Sequence, residues 1–283
     1  MPNPTLNEKV FQREAGGELR DGWAAPDRPI PAAPDTVSPW TSAPPKTTGD
    51  GEVMTVRGIA SATGVLLALL LVGAAVGWAQ VTVKTIGEGR LQQVTADIPP
   101  LLLPALLVGL AFAIATIFRP RWARVTAPLY ALAEGLVVGI ISHVYEAEFS
   151  GIVLQAVGLT VAVFLFMLVM FATGRIQVTD KLRVMIMAST AAIFVVYLLS
   201  MVARLFGGDV PFIHDSGTFG IVFSLLVVGV ASMNLLLDFD FCQRAVAARA
   251  PKHMEWYAAF GLLVTLVWLY LELLRLLSKL RSR

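Results

Sequence analysis

Seven stretches of this chain are apolar for about twenty residues each, and no soluble fold absorbs that pattern. The hydrocarbon core of a bilayer is about 30 Å thick and is crossed by roughly 20 mostly apolar helical residues. Within it every backbone N–H and C=O must be paired inside its own segment, which a helix does. The runs lie at about 58–80, 98–118, 126–144, 151–173, 183–206, 217–239 and 254–277. Pro120, Gly174, Gly207-Gly208 and Pro251 fall between them, where helices end. Composition agrees, with 56% hydrophobic and 15% charged residues and a mean hydropathy of +0.71. The expectation is an all-α integral membrane protein, a seven-transmembrane-helix bundle over residues 53–283.

Residues 1–52 are a different material. They hold nine of the sixteen prolines, with Gly16-Gly17 and Gly49, and show no apolar period, so a disordered tail is expected. Orientation follows from short loops, where Lys and Arg collect on the cytoplasmic side. Arg119, Arg121 and Arg124 follow the second run, Arg175, Lys181 and Arg183 the fourth, and Arg244, Arg249 and Lys252 the sixth. The opposite loops carry Lys84 and Arg90, then Arg204, so the amino terminus and its tail are expected in the cytoplasm. One feature disagrees: seven spans place Arg275, Lys279, Arg281 and Arg283 outside. Either that tail is a tolerated exception or the seventh helix does not fully cross.

The apolar runs make the lipid bilayer a partner, whereas a net charge of +2 says little about partners, because the basic residues sit mostly in short loops where they set orientation, and nucleic acid is not implied. The single cysteine, Cys242, cannot form an internal disulfide. His143, His214 and His253 show no metal-ligand spacing, so neither a metal site nor a resident cofactor is expected. The seventh run has no internal lysine for a retinal Schiff base, and no serine–histidine arrangement with a glycine-rich elbow is present. The chain reads as no enzyme.

Chemistry must then come from the few ionisable residues inside the runs, since each costs on the order of 3 kcal/mol near a bilayer centre. They are Glu134 in the third run, Asp238 and Asp240 ending the sixth in LLLDFDFCQR, and Glu272 in the seventh. At 100° per residue Asp238 and Asp240 are about 200° apart and cannot share a face. Asp238 has Asn234 one turn before it, extending a polar stripe inward. Asp240 stands four residues before Arg244, an ordinary surface ion-pair spacing. Glu134 has only Tyr130 as a polar neighbour at helical spacing. Glu272 has Arg275 three residues on and Thr265 two turns before it.

With these residues in view, the chain resembles the bacterial branch of the Bax-inhibitor (transmembrane Bax inhibitor motif) family over residues 52–283. The resemblance is carried by MTV at Met54, AEGLVVGI around Glu134 and Gly135, LLLDFDFCQ, and EWYAAFGLLVTLVWLYLELLRLL from Glu255. It implies a bundle whose last helix is surrounded by the other six, placed in the bacterial cytoplasmic membrane. It also implies a pH-modulated calcium leak gated by protons on two aspartates, one ending helix six and one in helix seven, with Ca²⁺ as the permeant ion. The helix-six aspartate carries over to Asp238 or Asp240. In helix seven the pattern departs: Thr265 stands where the second aspartate belongs, and Glu272 is the nearest acid. Paired carboxylates in a dry site cannot both ionise cheaply, so such a pair shares a proton, and its freed oxygens suit a hard cation. The alternative that the resemblance implies is a non-conducting protein that regulates a membrane-protein partner, for instance by restraining a membrane-bound protease.

Overall fold

The structure is a computed structural model that describes residues 53–86, 93–97, 99–206 and 217–282. The tail expected over 1–52, Gly207-Gly208, His214 and Arg90 lie outside the described residues. Seven helices form as expected: α1 (Val56–Gln80), α2 (Leu102–Phe118), α3 (Ala123–Glu148), α4 (Ile152–Ala172), α5 (Asp180–Leu205), α6 (Thr218–Ala247) and α7 (Met254–Arg281). Six are long and apolar enough to cross a membrane, while α2 has 17 residues and spans about 25 Å. Between α1 and α2 the chain makes an antiparallel ribbon, β1 (Thr82–Ile86) on β2 (Gln93–Asp97), with Thr82 opposite Asp97. So short a pair of strands leaves no mark on a pattern of twenty-residue apolar runs.

One boundary matters for function. The sixth run was expected to end at 239, yet α6 continues to Ala247, because FCQRAVA contains neither Gly nor Pro to stop it. Asp238 and Asp240 therefore lie about two turns inside the helix and not at its end.

Helices α1 and α3 pack unusually closely. Lipid tails give apolar helices no hydrophobic reason to associate, so small residues that let backbones approach decide which pairs form. Here Gly73 and Gly77 of GAAVG lie on the backbone of Leu132 and Leu136, and Gly135 and Gly139 of GLVVG lie on that of Leu70 and Ala74. One turn further, His143 Nδ1 is 2.8 Å from the Trp78 carbonyl, and the two rings stack with centroids 4.5 Å apart. Leu70, Ala74 and Trp78 thus meet Gly135, Gly139 and His143 in turn, so the helices run parallel.

Helix α7 is the centre. It is buried along its whole length and packs against α1, α3, α4 and α6. Helix α2 sits outside, on α3, and α5 reaches α7 through Tyr197, so the last helix is enclosed less evenly than the resemblance implied. At its start, Glu255 accepts hydrogen bonds from Thr55 N (2.9 Å) and Oγ1 (3.1 Å), capping α1. Met54 N donates to the Ala250 carbonyl at 2.8 Å, which fastens the entry to α1 onto the α6–α7 turn. At its end, Arg281 donates to the Ser150 carbonyl just past α3 (2.7 Å). The seventh helix therefore runs parallel to α1 and α3, from one end of the bundle to the other.

The same contacts account for the misplaced positive charge. Arg275 is tied to Glu272, and Lys279 Nζ is buried, donating to the Gly220 carbonyl (3.0 Å) and Ser224 Oγ (2.9 Å). These cations are held by protein groups of the bundle, unlike charges in a free loop. A reporter fused after Arg283 is expected to read the face opposite one inserted at Pro251; the same face for both would contradict a full crossing.

Candidate functional site

Asp238 points from α6 into the bundle toward α7. Its Oδ1 lies 4.0 Å from the point where a Cβ on Gly261 would sit, so the missing side chain gives the carboxyl its room. Thr265, one turn further along α7, neighbours the carboxyl, and its hydroxyl donates to the Gly261 carbonyl at 3.2 Å. Asp238 Oδ2 is sealed off and has no hydrogen-bond partner among the described residues. A buried polar atom without a partner costs free energy wherever it occurs, and more so for a group that can carry charge.

Tyr130 of α3 reaches α7 at the same level, its ring edge-on to Phe260 with centroids 5.0 Å apart. Glu134, one turn on, shares that side of α3 but reaches toward α2. Its Oε2 is 3.6 Å from the Cβ position of Gly109 on α2, which places the carboxyl between α2 and α3.

Glu272 belongs elsewhere. Its two oxygens accept from Tyr197 Oη (3.0 and 3.1 Å) and from Arg275 Nη1 (2.9 and 3.1 Å), and Arg275 also reaches Tyr197 Oη at 2.6 Å. This triad ties α5 to α7 about two turns, or roughly 10 Å, beyond Thr265. The residue opposite the helix-six aspartate is thus Thr265, and Glu272 lies apart from it, bonded to Tyr197 and Arg275.

Two expectations about α6 need correction. Asn234 does not extend a stripe toward Asp238; its Nδ2 donates to Thr190 Oγ1 of α5 (2.8 Å) and to the Val230 carbonyl (2.9 Å). Nor is Asp240 a solvated surface carboxylate. Its side chain is 17% exposed and is gripped by Arg244, as its spacing implied, and by Arg183 of α5 at 3.0 Å. Arg183 lies 57 positions away, so helical spacing could not reveal it. Asp240→Asn is therefore expected to cost about 1–2 kcal/mol, between an exposed and a buried pair. Thermal unfolding in detergent measures it, and an unchanged midpoint would show the pair to be inert.

Sequence reasoning also missed Glu255 and Lys279, which are both buried, at 5% exposure. Each sits at a helix end beside basic or polar residues, where a solvated charge is the ordinary reading, and the partner is 200 residues away for Glu255 and more than 50 for Lys279.

A helical bundle whose central span faces a buried carboxyl from the preceding helix defines the chain as an integral membrane protein of the all-α class. A family model described as Bax inhibitor 1 like matches residues 3–282, and the chain belongs to that family. The match extends into the proline-rich tail, further than the motifs did. No curated protein matches the chain closely enough to count as a relative.

Proposed function

We propose that this protein is a pH-modulated cation leak, with Ca²⁺ the permeant ion and the Asp238 carboxyl as its control point. The supporting observation is Asp238 itself, one oxygen unpartnered and the other facing Gly261 and Thr265 of the central helix. Protonated, the carboxyl can donate to Thr265 while the Thr265 hydroxyl keeps its bond to Gly261. Ionised, it can only accept, and its charge sits in a dry contact with one oxygen unpartnered, a cost that favours separation of α6 from α7 and entry of water. The freed oxygens then suit Ca²⁺, which takes six to eight oxygen ligands, here completed by water and backbone carbonyls. The basic loops that close α2, α4 and α6 share one face with the amino-terminal end, which favours that face as cytoplasmic.

The test is Ca²⁺ flux into liposomes carrying the purified full-length protein, measured from about pH 6 to 8. Flux is expected to rise with pH. Absence of flux at every pH would overturn the leak and favour the regulatory, non-conducting reading.

A further inference from the structure

We propose that the groove between α1 and α4 binds one acyl chain of a phospholipid in the leaflet opposite the amino-terminal face. Helices α1 and α4 both pack on α7 but barely on each other, which leaves a side opening of about 300 Å³ that reaches the central helix. Ala74 and Ala75 line its α1 wall, where larger side chains would fill it, and Val157 lines its α4 wall. At its floor Tyr270 of α7 and Ser142 of α3 are 8% and 4% exposed, and their hydroxyls bond each other at 2.7 Å.

Three helices agree on how deep the groove lies. Along α1 its lining runs from Leu70, near the middle of a 25-residue helix, to Trp78, two residues from the end, a rise of about 12 Å. On α3, Leu70 is level with Gly135, near the middle of 26 residues, and Trp78 is level with His143. On α7, Arg281 is level with Ser150, and Tyr270 lies eleven residues before Arg281 just as Gly139 of the lining lies eleven before Ser150. The groove therefore runs from the bilayer middle to the interface, where a tryptophan is at home. Its length approaches the roughly 15 Å that one leaflet contributes to a hydrocarbon core of about 30 Å.

Length and chemistry together select the occupant. The mouth is continuous with the surface that faces lipid, since Leu71 at its rim is 66% exposed and Val157 is 44% exposed. No charged side chain lines the groove, and the two hydroxyls at its floor are spent on each other. Such a space holds water poorly, and left empty it would deprive its walls of dispersion contacts. An extended acyl chain supplies those contacts from the interface to the middle of the bilayer and rests on the central helix at Tyr270.

The full-length protein in non-ionic detergent is titrated with dipalmitoyl-phosphatidylcholine, whose zwitterionic head leaves chain packing to decide, and bound lipids are counted by mass spectrometry of the intact complex. Wild type is expected to hold one lipid more tightly than any further ones. Ala75→Phe and Val157→Phe fill the groove from opposite walls and should each weaken that first lipid about tenfold, within the cost of overpacking an occupied space. If either does not fold, Ala75→Leu should weaken it in the same direction. Val195→Phe, at a half-exposed position on α5 away from the groove, should leave it unchanged. The site would be overturned by the absence of a tighter first lipid, by unaltered affinity in the filled variants, or by an equal loss in Val195→Phe. A dimer mass in wild type that the filled variants lose would show a second copy in the groove instead.

Discussion

Asp238→Asn is expected to flatten the pH dependence of the proposed Ca²⁺ flux. Asparagine keeps the volume of the aspartate and can still donate to Thr265, so the packing of α6 on α7 is retained and only ionisation is lost. In wild type the ionised fraction of a single carboxyl grows up to about tenfold per pH unit below its midpoint, and flux should follow it upward. In the variant the curve stays level at the value set by the protonated, closed arrangement. Glu134→Gln is the companion: with its carboxyl between α2 and α3, it is expected to change the amplitude of flux and not its pH response. Thr265→Asp supplies the second carboxyl that the family resemblance implies, and two interacting groups titrate in two steps, so the single rise should broaden into two. Liposome flux on these three variants at matched protein density checks the scheme. A wild-type pH profile in Asp238→Asn, or loss of that profile in Asp240→Asn alone, would place the sensor elsewhere.

The division between Asp238 and Asp240 is legible in the sequence, because helical geometry separates residues two apart by 200° whatever surrounds them. The seven spans are legible for a similar reason, since the bilayer imposes their length. What stays hidden is what depends on a second, distant element. Arg183 turns Asp240 from a surface ion pair into an α5–α6 tie, Thr190 draws Asn234 away from the site, and Thr55 makes Glu255 a helix cap. A sequence shows each of these groups as polar and near a membrane edge, but not which neighbour it faces. Thr265 is intermediate. The sequence shows a hydroxyl where the resemblance implies a carboxyl, but only the structure shows that Thr265, and not Glu272, lies beside Asp238.

The glycines of α1 and α3 carry the largest expected loss of stability. A methyl group on Gly77 would collide with the Leu136 carbonyl, and one on Gly139 with the Ala74 carbonyl. Both obstacles are backbone, which cannot rotate aside as a side chain would, so the helices must separate. Overpacking of this kind costs about 1–3 kcal/mol per site. Gly77→Ala and Gly139→Ala face each other across one interface, so the first displacement relieves part of the second and the double variant should lose less than the sum. Separation of α1 from α3 also strips Trp78 from His143 and shifts α3 against α7, where Tyr130 meets Phe260 and Ser142 bonds Tyr270 at 2.7 Å. Gly64, Gly158 and Gly229 are the internal controls. They have open space at the Cβ position, and alanine there is expected to be neutral or to stabilise the helix by up to about 1 kcal/mol. Thermal unfolding of the six proteins in one detergent decides the matter: equal midpoints in the two groups of variants would mean that the close α1–α3 approach contributes nothing to holding the bundle together.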